Sequence, residues 1–253
     1  MTALPEPITR RLLDEISNAY GTGGLSEFDL ARLRREAYGL MKVAPADAHM
    51  VLGAIAAERY DIDVMRSHHK TSMELSPRNI EVRANYAVSL SRVGLIQEAI
   101  DILRELLATD PTNLLQLKHL LSEQIHGLRF VDAVKTKLTI LQRQPDFDFR
   151  DLADVDALHM VLTRCGYSQD DAAKHMDLAF SILRARKVHF EEYVLLIDDD
   201  QDDSGVFVTL RVHAEIDQAL AISDELFQVL DESIAAWRPE HLSISVDPFV
   251  ALQ

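Results

Sequence analysis

The sequence predicts a mainly α protein, an array of stacked helical hairpins (an α-solenoid) followed by a small α/β unit, and three observations predict it. Pro77, Pro111 and Pro145 stand 34 residues apart, each just beyond an apolar-periodic segment where proline ends a helix. Leucine and alanine are the two commonest residues, whereas glycine supplies 9 residues and aromatics 6% of the chain, a mixture that favours helix. Beyond about residue 190 the composition changes, and β-branched runs alternate with a single helical stretch.

Two helices, near Ile8 to Tyr20 and Glu27 to Val43, are expected to cap the stack. Ser26 with Asp29 three residues on has capping-box spacing for the second of them. From Ile80 to Val93 the residues Val82, Tyr86, Ala87, Val88 and Leu90 recur at helical spacing, and Gly94 follows where a helix needs a left-handed end. A second stripe, with Ala99, Ile100, Leu103, Leu106 and Leu107, predicts a helix from Ile96 to Ala108, closed by Asp110 and Pro111. Small Ala87 and Ala99 suit the close approach of two antiparallel helices. A hairpin of this size cannot bury its apolar faces alone and must stack on like neighbours.

Tyr86–Ala87, Leu90, Gly94, Ala99, Leu103, Leu106 and the closing Asp110–Pro111 with Asn113 together resemble one full tetratricopeptide repeat. The flanking units resemble it less completely. Upstream, Leu52 and Gly53 fit the large-small pair and Ser76–Pro77 the end, with Met65 in place of a small residue. Downstream, Leu120, Phe130, Ala133 and Pro145 fit, with Gly127 offset by one. The resemblance covers about Ala46 to Pro145.

Asp151 to Cys165 and Gln169 to Lys187 read as a further hairpin split by Gly166. Tyr193 to Ile197, Val206 to Val212 and His241 to Val246 read as strands, and Glu215 to Trp237 as a helix. The simplest account is a small antiparallel sheet packed on one helix, giving a repeat domain over 1–187 and an α/β unit over 188–253.

With 41 acidic against 26 basic residues the formal net charge is -15, which repels a phosphate backbone and argues against nucleic acid as a partner. No run reaches the roughly 18 apolar residues of a membrane span, so no membrane association is expected. The single cysteine, Cys165, and the lack of a basic-then-apolar leader point to the cytoplasm.

In a stacked array the first helices line the concave groove. Asn85, Val88 and Arg92 in the middle repeat, and Lys118, His119, Ser122 and His126 in the next, are therefore the candidate residues for gripping a protein or peptide. A subset of tetratricopeptide proteins clamps C-terminal carboxylates, and Asn85 falls where a clamp asparagine is expected. Upstream, however, Met50 and Val51 stand where lysine and asparagine would be needed.

Other constellations have plainer readings. His119, Glu123 and His126 are zinc-ligand types at spacings that do not match the two-histidine helical motif. His68 and His69 diverge by about 100° on a helix. Asp198, Asp199, Asp200, Asp202 and Asp203 lack the rest of a calcium loop and read as a solvated acidic loop. Gly21, Gly23 and Gly24 lack the strand and Gly-Lys-Ser/Thr of a phosphate loop and read as a linker. Cys165 lies in an apolar helical stretch and reads as a structural thiol. No nucleophile elbow or paired carboxylates mark an enzyme, and no cofactor is expected.

The leading expectation is thus an interaction scaffold or adaptor that holds a protein segment in the groove. Two rivals stand beside it: a regulatory or neutralising subunit, antitoxin-like or an enzyme inhibitor, acting through the acidic C-terminal unit, and a hydrolase with its site in that unit.

Overall fold

The computed structural model describes residues 5–20, 24–148, 154–200, 204–234 and 237–249. Eight helices alternate up to residue 143: α1 (Pro5–Asn18), α2 (Glu27–Leu40), α3 (Pro45–Glu58), α4 (Ile62–Leu75), α5 (Ile80–Arg92), α6 (Ile96–Thr109), α7 (Leu114–His126) and α8 (Phe130–Arg143). They are followed by α9 (Val155–Arg164), α10 (Gln169–Arg186), β1 (Phe190–Asp198), β2 (Gly205–Val212), α11 (Ile216–Ser233) and β3 (Leu242–Pro248).

The 34-residue period governs backbone conformation as well as sequence. Tyr60, Gly94 and Leu128 stand 34 apart at the turns into α4, α6 and α8, and all three have left-handed φ, at 53°, 70° and 48°. In each turn the next N–H reaches back five residues, Asp61 to Ala56 at 2.9 Å, Leu95 to Leu90 at 2.8 Å and Arg129 to Gln124 at 2.7 Å, satisfying a carbonyl the helix end leaves open. Only the middle turn uses glycine. Gly127 has φ -89° and Leu128 takes the strained position, so the offset glycine is a true shift in turn chemistry. Tyr60 and Leu128 are 7% and 0% exposed, and their burial offsets the roughly 1–2 kcal/mol cost of a left-handed non-glycine residue. Asn79 and Asn113, again 34 apart, cap α5 and α7 by accepting from the N–H groups of Glu81 and Gln116. Ser26 caps α2 by accepting from the Asp29 N–H, and its hydroxyl donates to the Asp29 carboxylate at 2.5 Å.

The chain forms two compact units that divide inside α6, between Ile102 and Leu103. In the first unit α3 is the central helix and packs against α1, α2, α4 and α5. Ten of its 14 residues are buried, so it keeps no broad solvent face. Gly53 marks the tightest approach: a Cβ there would come within 2.6 Å of the His69 ring on α4. That ring is held by Tyr86, stacked at 4.9 Å between centroids, and by Ser89 at 2.8 Å. Gly53→Ala is expected to destabilise the protein by about 1–3 kcal/mol despite the better helix propensity of alanine, checked by urea denaturation.

In the second unit the sheet has the order β1-β2-β3, and it is mixed rather than antiparallel. β1 pairs antiparallel with β2 across a short connection, whereas β3 runs parallel to β2 because the 18-residue α11 supplies the crossover a parallel pair requires. Nor does the sheet rest on one helix alone. α9, α10 and α11 all pack on it. Val206, Val208, Leu210 and Val212 alternate with Phe207, Thr209 and Arg211, so one face is fully covered and the other partly open. Tyr193 and Leu195 join the cluster of Leu117, Leu121, Ile125, Ala133 and Ile140, which ties β1 to α7 and α8 within this unit.

Candidate functional site

The face of α5 that carries Asn85, Val88 and Arg92 is the first-unit part of the expected groove. Val88 is 36% exposed, and half-buried Asn85 donates from Nδ2 to the Glu81 carbonyl at 2.9 Å. Arg92 does not line an open groove. Its side chain is 5% exposed and forms a two-point ion pair with Glu58, Nε to Oε1 at 3.0 Å and Nη2 to Oε2 at 3.3 Å. The guanidinium also lies 4.2 Å from the centre of the Tyr20 ring. A charge this well paired serves the fold, and it is unavailable for a ligand.

The same repeat positions on α3 are closed as well. Val51, Ala54 and Glu58 stand 34 residues before Asn85, Val88 and Arg92, and all three side chains are buried. Leu12 and Ile16 of α1 join Val51, Leu52 and Ile55 in one core, and Thr9 donates to Asp47 at 3.1 Å. Met50 and Val51, where a carboxylate clamp would need lysine and asparagine, are 2% and 0% exposed. A clamp built across α3 and α5 is therefore ruled out by burial.

In the second unit the α7 residues are partly occupied by the chain itself. The His126 ring lies 4.9 Å from that of Tyr193 and 5.8 Å from that of Phe190, both on β1, and its Nδ1 is 3.7 Å from Glu123. The Tyr193 hydroxyl donates to the Ile125 carbonyl at 3.1 Å, and burial raises the phenol's pKa. His126 is thus a contact to β1 and does not line free groove. Lys118 places its Nζ 4.5 Å from the centre of the Phe147 ring, a cation–π contact. His119 is half-buried, and burial lowers its pKa while Glu123 opposes the shift. Ser122 is half-buried beside them.

Among the described residues no three His, Cys, Asp or Glu side chains converge as a metal set. Asp198 to Asp200 are exposed, the Asp199 carbonyl accepts from Arg164 at 3.1 Å, and Asp202 and Asp203 lie outside the described residues. Gly21 and Gly23 lie outside them too, while Gly24 has φ 82° just before α2. Cys165 is buried and its thiol donates to the Ser204 carbonyl at 3.3 Å. No helix among the described residues is long and apolar enough to cross a membrane.

One functional-site residue, Glu58, escaped notice in the sequence. Glu58 could have been found by reading opposite charges at repeat-equivalent positions, since it precedes Arg92 by one period. His68 and His69, adjacent and therefore diverging on α4, take separate partners: the His68 Nδ1 meets His49 Nδ1 at 2.9 Å, and His69 is buried.

The fold and these faces define a mainly helical, repeat-like protein with a three-stranded C-terminal sheet. No protein-family profile, curated protein or solved structure matches the chain.

Proposed function

We propose that the chain is a tetratricopeptide-like scaffold for protein–protein interaction, acting in the cytoplasm, and that a protein segment docks on the first-helix faces of its hairpins. The observation that carries this reading is the seat of β1 on α7. There an extended segment lies against a first helix through one aromatic hydroxyl, one backbone carbonyl and an apolar cluster. That is how a repeat face receives an extended peptide. Within the first unit Asn85 and Val88 on α5, and within the second Lys118, His119 and Ser122 on α7, supply polar and apolar groups for docking, while Arg92 and His126 serve to hold their own helices in place.

Affinity purification of the tagged chain from its host, repeated with Val88→Asp and Lys118→Glu, tests the reading. A partner whose affinity falls at least tenfold in either variant, with stability changed by no more than about 1 kcal/mol, is the expected result. A partner retained at full affinity by both variants would remove the groove from consideration. The rival reading, a regulatory or neutralising subunit, draws on the exposed Asp198 to Asp200 and on the acidic excess of the chain. It predicts that deleting residues 198–203 abolishes binding while the groove variants bind normally.

A further inference from the structure

Helix α11 is amphipathic twice over. Its buried stripe, Ala219, Ile222, Leu226 and Leu230, faces the sheet, and Ser223 fixes the helix there by accepting from the Val246 N–H at 3.3 Å. Beside that stripe runs a second apolar one that nothing in the described structure covers: Ile216, Leu220 and Phe227, exposed by 63%, 54% and 54%. At 100° per residue these three fall within about 40° of one another. The Phe227 ring meets Trp237 edge to face at 4.8 Å, which broadens the apolar surface. Along its outer flank stand Asp217, Asp224 and Asp231, all exposed and seven residues apart, a ladder with a rise of about 10 Å per step. α11 contains no basic residue.

We infer that this face binds a basic amphipathic helix of another protein, with apolar residues on the Ile216–Leu220–Phe227 stripe and lysine or arginine at seven-residue spacing against the aspartates. Charge selects the occupant. A second copy of this chain would set one aspartate ladder against another, and nucleic acid or an anionic membrane would meet the same repulsion. Heptad spacing matches the side-by-side packing of two helices. The surface is separate from the first-helix faces, so it stands if the groove reading fails.

Trp237 is the only tryptophan of the chain, and its emission reports contact at Phe227. The full-length protein is titrated at 0.15 M salt with two synthetic 21-residue helical peptides. They share one leucine stripe and differ only in carrying lysine or glutamate at the flanking heptad positions. The lysine peptide is expected to bind at least tenfold more tightly and to shift the emission. The double variant Asp224→Lys/Asp231→Lys should invert that preference, Leu220→Ser should weaken binding of the lysine peptide at least fivefold, and Asp198→Asn/Asp199→Asn/Asp200→Asn should leave it unchanged. Equal binding of both peptides, no binding of either, or a loss as large in the loop variant as in the α11 variants would overturn the inference. Circular dichroism of each variant confirms that the exposed substitutions leave the fold intact, and the gain of glutamate-peptide binding cannot come from unfolding.

Discussion

Arg92→Ala is expected to destabilise the protein by about 3–5 kcal/mol, enough to lower the thermal midpoint by roughly 10 °C. The reason lies in what the substitution leaves behind. Glu58 is 3% exposed, and both of its carboxylate oxygens lie within hydrogen-bond reach of the guanidinium. Without Arg92 a buried carboxylate must stay charged in a poorly solvated site or take up a proton, and either outcome costs more than the pair contributed. The Tyr20 ring also loses the cation above it. Glu58→Leu in the Arg92→Leu background should recover most of the loss, because two apolar side chains of similar volume carry no desolvation penalty. Equilibrium urea denaturation of the two single variants and the double variant checks this, and a double variant as unstable as the sum of the singles would contradict it.

Arg92 also shows where sequence reading reaches its limit. The 34-residue proline spacing and the Gly94 turn are local, and local chemistry places α5 and α6 almost to the residue, Ile80–Arg92 and Ile96–Thr109 against the expected Ile80–Val93 and Ile96–Ala108. The groove assignment for Arg92 and His126 rests on a further assumption, that the first-helix face of each hairpin stays open. That assumption is non-local. It fails where Tyr20 reaches Arg92 and where Phe190 and Tyr193 cover His126, contacts between residues 64 to 72 positions apart in the chain. The mixed sheet has the same origin. A run of β-branched residues announces a strand, but its direction follows from the length of the connection, and α11 is long enough to bring β3 back parallel to β2.

The second large effect is expected on acidification, with stability falling between pH 6.5 and 4.5 in a window where few carboxylates titrate. His69 is fully buried, its Nδ1 has no hydrogen-bond partner among the described residues, and burial, helped by the neighbouring His68, pushes its pKa from 6.5 down to about 3. The folded protein therefore keeps this imidazole neutral while the unfolded chain protonates it below pH 6.5. The contribution of His69 is complete above pH 6.5 and is lost as pH falls toward 3, at about 1.4 kcal/mol per pH unit, or about 2 kcal/mol by pH 5. Burial lowers the pKa of His68, His119 and His175 in the same direction, whereas burial raises that of Asp177 and opposes them, so the share of His69 is read from the difference between parent and variant. Glu36 and Asp132, whose carboxyls are held low by Arg11 and Lys135 among others, add their own loss only at lower pH. His69→Gln keeps a partner for Ser89 but cannot titrate. Its urea midpoint, followed by circular dichroism from pH 7.5 to 4.5, should depend on pH less steeply than that of the parent by about one proton. Parallel curves would mean that the folded protein protonates His69 as readily as the unfolded chain does, and that its burial exerts no hold on the imidazole.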